Sequence, residues 1–188
     1  MTKTPVNIMI GRFQPFTDGH MKCVDQAWKE LHIPTVICLI DTPVEKVDKK
    51  HPFSTETLLP IYNELISTYH IAAVLTVKNA DIVKNAEILH SAGYEIQSWT
   101  CGTDRIKSYT DMTERYKEQA ELPSDFKMIE VKRSDDDISA TRVRKALLDG
   151  DVRTFNALTP YETLKSSLRE PNKVYNELRK IILQVYES

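Results

Sequence analysis

Near the amino terminus, the ten residues GRFQPFTDGH combine an arginine, a threonine and a histidine with two glycines. An apolar run precedes them and a segment with helical periodicity follows, so they form the loop of a strand–loop–helix unit. The start of such a helix offers unpaired backbone N–H groups and the positive end of the helix dipole, which together bind anions. Arg12 and His20 can add side-chain donors there, while Thr17 can bond a phosphate or cap the helix. The stretch therefore predicts a phosphate-binding loop.

The two glycines of this loop have distinct expected roles. Gly11 lets the chain turn sharply off the strand, and Gly19 lets a ligand approach the backbone closely. Together with Arg12 and Phe13, they are the predicted nucleotide-binding residues of the loop. Taken alone, His20 would more often be a histidine satisfied within a loop. Beside an arginine and two glycines, the binding interpretation is favoured.

A second candidate segment, ISATRVR, begins another predicted helix. Ser139 and Thr141 place phosphate-compatible hydroxyl groups at the helix start, and Arg144 lies one turn beyond. The residues leave a second interpretation open, an ordinary N-cap followed by a solvated basic face. The three acids at positions 135–137 do not share one face, so they predict a solvated loop rather than a metal site.

Two further loops carry groups suited to a nucleotide or an anionic substrate. The lysine loop, residues 41–53, contains three lysines, of which Lys46 and Lys50 are the predicted substrate-binding residues. A lysine-rich loop can equally be merely solvated. In the CGTDR stretch, Gly102 turns the chain off a strand, and Asp104 can orient a ribose or cap a helix.

Short apolar segments alternate with segments of helical periodicity along the chain. The predicted strands cover residues 6–10, 33–40, 71–77, 94–100 and 126–131. The predicted helices cover residues 21–31, 54–69, 81–91, 106–120 and 138–150. The alternation predicts an α/β fold, a Rossmann-like, doubly wound, parallel five-stranded sheet in residues 1–150, with a helical C-terminal tail in residues 151–188 packed on it. Ligands of such sheets bind at the carboxyl ends of the strands, where the four candidate loops converge.

Composition argues against several classes of protein. The 188 residues carry a net charge of −2, so a large electrostatic footprint for nucleic acid is not expected. No apolar run reaches the roughly 18 residues of a membrane span, and the amino terminus leads straight into the first strand. The three separated cysteines are expected to be buried thiols. These features predict a cytoplasmic protein that binds neither nucleic acid nor membrane.

Two signatures of one superfamily occur in the expected order. GRFQPFTDGH resembles the (H/T)xGH signature of the nucleotidyltransferase α/β-phosphodiesterase superfamily, and ISATRVR resembles its ISxTxxR signature. The resemblance covers roughly residues 6–150. Within the superfamily, GRFQP is most similar to nicotinamide mononucleotide (NMN) adenylyltransferases, which make NAD and pyrophosphate from ATP and NMN. The HPFSTE segment also resembles their NPFTxxER segment, without its arginine.

Other members of the superfamily stay open as alternatives. Thr17 stands where the NMN enzymes generally carry a histidine, and threonine there is usual in phosphopantetheine adenylyltransferases. The lysine loop resembles that of glycerol-3-phosphate-type cytidylyltransferases. A non-catalytic nucleotide-binding module is a further alternative, disfavoured because both signatures keep their key residues, His20 and Arg144.

The resemblance implies that His20, Thr17 and Arg144 are catalytic. His20 would contact the phosphates in the transition state, with Thr17 beside it. Arg144 would hold the β- and γ-phosphates together with Ser139 and Thr141. No covalent intermediate is needed, because the acceptor phosphate is itself an adequate nucleophile.

The resemblance also implies the remaining ligand contacts. Arg12 would help to hold the triphosphate, and Gly102 and Asp104 would line the nucleotide site. Lys46 and Lys50 would bind the phosphate of the acceptor. Mg²⁺ would be bound mainly through nucleotide phosphates, with no dedicated metal site on the protein. The expected partners are ATP and a small phosphorylated acceptor, NMN above others, and the apolar stripe of the tail leaves a homo-oligomer open.

Overall fold

The computed structural model describes residues 2–66, 69–132 and 139–188. Its strands are β1 (Thr4–Gly11), β2 (Thr35–Ile40), β3 (Ile71–Val77), β4 (Tyr94–Gly102) and β5 (Lys127–Val131). Its helices are α1 (Asp18–Leu31), α2 (Thr55–Asn63), α3 (Ile82–Ser91), α4 (Thr103–Arg115), α5 (Ala140–Asp149), α6 (Val152–Leu158), α7 (Lys165–Arg169) and α8 (Lys173–Glu187). The last three of these form the predicted helical tail.

All strands of the sheet run parallel, in the order β3-β2-β1-β4-β5. The order reverses between β1 and β4, so the switch point, beside which such sheets bind ligands, lies between these two strands. Ile8 of β1 lies opposite Trp99 of β4. Each strand continues three residues further to a glycine, Gly11 and Gly102 respectively. The predicted Rossmann-like, five-stranded parallel sheet is confirmed.

Contacts group the chain into two compact units that interleave along the sequence. The sheet unit comprises Met1–Gly11, Lys22–Ile40 and Ile66–Asp136. The helical unit comprises Arg12–Met21, Asp41–Leu65 and Asp137–Ser188. The division of the chain at residue 150 stays a prediction.

Alternate residues of the central strands bury one face of the sheet unit, as the two-residue period of a strand requires. Helix α3 covers this face with apolar residues spaced four and three apart. The buried cluster contains Val6, Ile8, Val36, Cys38, Val77, Ile82, Ala86, Leu89, Ile96, Trp99, Ala120 and Leu122. All three cysteines are free and buried, as predicted.

A polar side chain lies at the centre of the sheet. Asn7 of β1 is fully buried and donates a 3.0 Å hydrogen bond to the hydroxyl of Thr35 on β2. Its carbonyl oxygen accepts bonds of 2.8 Å from the hydroxyls of Ser98 and Thr100 on β4. A buried amide requires such partners, because an unpaired one would cost on the order of 1–3 kcal/mol. The network therefore links three adjacent strands through side chains.

In the helical unit, α5 begins and ends at well-defined caps. The hydroxyl of Ser139 accepts a 3.2 Å bond from the backbone N–H of Arg142, and Gly150 ends the helix with φ of 72°. Glycine reaches this left-handed conformation without strain. Helix α8 packs against α5 and buries Val174, Tyr175, Leu178 and Ile182, which include much of the apolar stripe predicted for the tail.

Several element boundaries differ from the predicted ones. Helix α4 begins directly after Gly102, three residues earlier than expected. Helix α2 ends at Asn63 although periodicity continues, because Glu64 and Leu65 close it with bonds to Ile61 and Tyr62, three residues back. Pro60 lies inside α2. In the part of the chain that the structure describes, no helix has both the length and the apolar character of a membrane span.

Candidate active site

The TDGH segment forms a reciprocal cap at the start of α1. The backbone N–H of His20 donates to the hydroxyl of Thr17 at 3.4 Å, and the backbone N–H of Thr17 donates to Nδ1 of His20 at 3.0 Å. This is the arrangement of a capping box, with histidine in the place usually taken by glutamate or glutamine. Thr17 is thus the cap of α1, one of the two roles that the sequence left open for it.

This cap determines which ring nitrogen of His20 carries the donor proton. Because Nδ1 accepts the N–H of Thr17, the proton of the neutral imidazole is placed on Nε2. The rings of Phe13 and Phe16 lie 4.9 and 5.2 Å from the imidazole ring, which restricts its rotation. His20 is therefore held as an Nε2–H donor at a helix N-terminus, a geometry suited to a phosphate oxygen.

Thr17 occupies a different place from the one expected for a phosphate ligand. It is fully buried, and its hydroxyl lies 3.2 Å from Nδ1 of His20 in addition to capping the helix. In this geometry Thr17 positions His20 rather than presenting its own hydroxyl. Gly19, between the two in the first turn, is partly exposed.

Two buried tyrosines hold the backbone of the loop. The Tyr62 hydroxyl donates to the carbonyl of Phe13 at 2.6 Å and accepts from the N–H of Phe16 at 2.8 Å. The Tyr161 hydroxyl donates to the carbonyl of Phe16 at 2.6 Å. Burial raises the pKa of both phenols, so each keeps its proton and its donor role. Phe13 itself adopts φ of 47°, a left-handed conformation that a non-glycine residue keeps only when its surroundings impose it.

Gln14 ties the loop to the HPF segment of the lysine loop. Its side-chain amide donates to the carbonyl of Phe53 at 2.8 Å and accepts from the N–H of Phe53 at 2.9 Å. The Gln14 side chain thus pairs with the backbone of Phe53 through one donor and one acceptor, as the backbone of a neighbouring strand would. The Gln14–Pro15 peptide bond is cis. Because Gln14 is buried, both halves of this pair are needed to satisfy the polar groups involved.

Arg144 of the second motif reaches the same loop. One guanidinium nitrogen donates to the carbonyl of Gln14 at 2.7 Å and the other to the hydroxyl of Thr141 at 3.3 Å. Burial lowers the pKa of Arg144, which remains protonated at neutral pH. The two motifs predicted to form one site therefore meet through a direct bond. Ile138 and the acidic run at 135–137 lie outside the described residues.

Arg12 is held at the base of the lysine loop. Its guanidinium donates to the carbonyl of Asp41 at 3.3 Å and to the hydroxyl of Thr42 at 3.0 Å. Thr42 is in turn bonded to Thr55, through its N–H to the Thr55 hydroxyl and through its carbonyl to the Thr55 N–H. The side chain of Arg12 is exposed, so its remaining donors can face a ligand.

His51 is a residue that the sequence interpretation did not single out. Its backbone N–H donates to the carboxylate of Asp48 at 2.6 Å, and its Nδ1 lies 3.5 Å from the same carboxylate. The pKa of His51 is lowered, first by burial and then by the charge of Arg12; Asp48 opposes this shift, while Lys50 and Arg144 add to it. His51 thus lies in a field of cations from both motifs. The signal for it was present, since it opens the HPFSTE segment.

The two predicted lysines are exposed and lie on the lysine loop. Lys46 ends a short 3-10 turn, and Lys50 donates its backbone N–H to Asp48 at 2.9 Å. Gly11, Gly102 and Asp104 belong to the sheet unit: the glycines end β1 and β4, and Asp104 is exposed in the first turn of α4. The ligand contacts assigned to these residues stay predictions.

A doubly wound, five-stranded parallel sheet defines an α/β protein with a Rossmann-like fold. The cytidylyltransferase-like family model matches residues 8–146 of the sequence. The chain therefore belongs to the cytidylyltransferase-like family, within the nucleotidyltransferase superfamily that its two signatures indicate. No curated protein sequence matches it.

Solved structures with a similar fold cover most of the chain. Nicotinic acid mononucleotide adenylyltransferase of Plasmodium falciparum, complexed with NaAD, has 15% identity and a TM-score of 0.55, with 92% of this chain and 98% of that chain covered. A candidate nicotinate-nucleotide adenylyltransferase of Vibrio parahaemolyticus has 13% identity and a TM-score of 0.52, with 94% and 96% covered. Thermotoga maritima TmcAL bound with alpha-thio ATP has 11% identity and a TM-score of 0.55, with 92% and 57% covered. At these identities the likeness concerns the fold.

Proposed function

We propose that this protein transfers the AMP group of ATP to nicotinamide mononucleotide, forming NAD and releasing pyrophosphate. The observation that carries the proposal is the reciprocal cap of Thr17 and His20, which fixes the imidazole at a helix N-terminus with its proton on Nε2. Arg144 adds a positive charge to the same loop. Fixed donors and charges of this kind stabilise the negative charge that develops during phosphoryl transfer.

The preference for NMN rests on the similarity of GRFQP to the NMN adenylyltransferases. It is supported by the two similar structures whose names concern pyridine mononucleotides, since a related fold accommodates that substrate class there. Lys46 and Lys50, exposed on the lysine loop, are proposed to bind the phosphate of the acceptor.

In this mechanism the NMN phosphate attacks the α-phosphorus of ATP in line. A bond forms between an oxygen of the NMN phosphate and the α-phosphorus, and the bond from the α-phosphorus to the bridging oxygen breaks. Pyrophosphate leaves with that electron pair. His20 would donate its Nε2–H to a phosphate oxygen whose charge rises, and catalysis then consists of positioning and charge stabilisation.

Each of the other predicted residues would contact either the phosphates that leave as pyrophosphate or the rest of the nucleotide. Ser139, Thr141 and Arg144 would hold the phosphates that leave as pyrophosphate, and Arg12 would contribute to the same task. Gly102 and Asp104 would line the nucleotide. The hydroxyls of Ser139 and Thr141 accept bonds from the backbone N–H of Arg142 and the guanidinium of Arg144, so a triphosphate would exchange with some of these bonds.

Mg²⁺ is proposed to arrive with the nucleotide. Among residues 2–66, 69–132 and 139–188, no group of three or more His, Cys, Asp or Glu side chains is arranged to hold a metal ion. A cation coordinated mainly by triphosphate oxygens and water suits these surroundings. When bound, Mg²⁺ would neutralise charge on the triphosphate, while the residues named above orient it.

Pyrophosphate release tests this function. The purified chain is incubated with Mg²⁺ and either ATP or CTP, each crossed with NMN, nicotinate mononucleotide, phosphopantetheine and glycerol 3-phosphate, and the products are identified by mass spectrometry. Release with ATP and NMN, with NAD as product, is the expected result. Release with CTP alone would replace the proposal with cytidylyl transfer, and no release with any pair would remove it for these substrates.

Two variants serve as controls for activity from contaminating enzymes in this assay. His20→Ala removes the proposed donor and should abolish most of the release. Tyr116→Ala changes an exposed tyrosine at the end of α4, in the sheet unit, and should retain it. Equal release by both variants would show that the measured activity does not come from this site.

A further inference from the structure

The carboxyl end of α8 contacts the lysine loop through one residue pair. The hydroxyl of Tyr186 donates to the main-chain carbonyl of Lys49 at 3.3 Å. The ammonium of Lys49 lies over the Tyr186 ring, 5.4 Å from its centroid. A hydrogen bond and a cation–π contact therefore join the same two residues, 137 positions apart.

Along the chain, Lys49 lies between Lys46 and Lys50, the two residues proposed to bind the acceptor. Lys46 and Lys50 flank Lys49 in the loop, so the conformation of its main chain decides where both ammonium groups can reach. We propose that Tyr186 is a positioning residue, which anchors the lysine loop to α8 so that Lys46 and Lys50 meet the phosphate of the acceptor. This inference rests on the proposed function, because the acceptor site is part of it.

Helix α8 is firmly placed and can serve as an anchor. Its inner face is buried through Val174, Leu178 and Ile182, and it packs against α5, the helix that carries Arg144. Helix α8 thus connects the lysine loop with the arginine of the second motif.

The space between the loop and the last turns of α8 is a pocket of about 350 Å³ that is open to solvent. Its lining includes Val44, Val47 and Pro52 from the loop side and Ile181 and Val185 from the helix. Because this space separates the apolar side chains, the loop gains less from dispersion contacts there, and the Tyr186–Lys49 pair contributes correspondingly more to its position.

Steady-state kinetics separate this positioning role from a catalytic one. Tyr186→Ala removes both interactions and should raise the KM for NMN about tenfold, whereas Tyr186→Phe keeps the ring over Lys49 and should raise it about threefold. The kcat and the KM for ATP should change by less than about twofold, since the triphosphate residues are untouched. An unchanged KM for NMN in Tyr186→Ala would overturn the proposal, and so would an equal loss for both nucleotide substrates.

Tyr116→Ala is the matched control for these variants. Tyr116 is 40% exposed and Tyr186 39% exposed, so the two substitutions remove the same side chain at the same exposure. Tyr116→Ala should leave the KM for NMN unchanged. If Tyr186→Ala does not fold, Lys49→Met tests the proposal instead. This substitution removes the ammonium from the Tyr186 ring and leaves α8 intact, and it should raise the KM for NMN about threefold.

Hydrogen exchange tests the anchor without any activity. Backbone amides of residues 44–51 should exchange about tenfold faster in Tyr186→Ala than in Tyr116→Ala, because the loop opens locally more often. Equal exchange in the two variants would overturn the anchor. A wild-type chain without transferase activity would exclude the proposed function and the acceptor role of the lysine loop. The hydrogen-exchange comparison would still show whether Tyr186 holds this loop in place.

Discussion

The guanidinium of Arg144 donates a 2.7 Å hydrogen bond to the main-chain carbonyl of Gln14, 130 positions earlier in the chain. The arginine of one sequence motif is thereby bonded to the backbone of the other. Gln14 also pairs with Phe53, so one residue joins the phosphate-binding loop, the lysine loop and α5. The relative placement of the candidate site residues depends on this junction.

Arg144→Lys should lower kcat at least about tenfold and leave the protein folded. A planar guanidinium bonds Gln14 and Thr141 at the same time, whereas a lysine ammonium is a point charge without that fork. Kinetics of pyrophosphate release with ATP and NMN measure the effect. Arg142→Lys, on the exposed side of the same helix, is the comparison, and equal kinetics for the two variants would contradict the role of the fork.

His20→Ala should lower kcat at least about 100-fold, because the loss of one preorganised donor to a developing charge costs roughly 2.7–4 kcal/mol. It also removes half of the cap at the start of α1, which should reduce the free energy of unfolding by about 1 kcal/mol. Urea denaturation separates the two effects. A folded His20→Ala protein with full activity would exclude the catalytic role, and His90→Ala, on α3, is the control expected to remain active.

Tyr62→Phe should reduce the free energy of unfolding by about 2 kcal/mol or more. Removing this single oxygen leaves the carbonyl of Phe13 and the N–H of Phe16 without their partner in a buried site, and each unpaired group costs roughly 1–3 kcal/mol. Urea denaturation of the variant and of wild type gives the difference. The same change at exposed Tyr116 should stay within about 0.5 kcal/mol, and a similarly small effect at Tyr62 would contradict the argument.

His51 should make stability depend on pH below its ordinary pKa of 6.5. Its pKa is lowered in the folded protein by burial and by the charge of Arg12, so the unfolded chain takes up the proton first as the pH falls. The stability contributed by neutral His51 is therefore complete above pH 6.5 and is lost as the pH falls through the lower folded pKa. NMR titration should place the pKa of the His51 imidazole below 6.5.

His51→Asn is the variant that checks this linkage. It removes the titrating group, so the difference in the free energy of unfolding between about pH 7.5 and about pH 5 should be smaller than in wild type. The pKa of Asp48 is lowered from its ordinary value of 3.8, first by the backbone N–H of residue 51, so its carboxylate stays ionised over this pH range. An identical pH dependence in the two proteins would contradict the assigned shift.

Local patterns were sufficient for the strands and for the two motifs. A buried parallel strand appears as a short apolar run, which made β1, β2 and β3 visible in the sequence, whereas β4 was visible from its alternation. The motif residues Arg12, Thr17, His20, Thr141 and Arg144 all belong to the helical unit, as a shared site requires. Their spacing along the chain could not show how they meet.

The residues that hold the loop in place carry no local signal. Tyr62 and Tyr161 bond Phe16 from 46 and 145 positions away, and neither belongs to a motif. Gln14 stands within a motif, yet its pairing with Phe53 depends on a contact 39 positions distant. Asn7 similarly interrupts an apolar run, and only the neighbouring strands explain its burial. Long-range pairing of polar groups is invisible to periodicity.

The bond between Tyr161 and Phe16 has a consequence for the order in which a growing chain can be completed on the ribosome. The loop proposed to bind phosphate is made first, but the hydroxyl that closes it belongs to a residue translated 145 positions later. Until that residue has left the exit tunnel, the carbonyl of Phe16 has no phenol to accept from. The first-synthesised part of the binding loop is thus among the last to reach its final form, and nascent chains interrupted before Tyr161 should contain the complete sheet with an unfinished ligand loop.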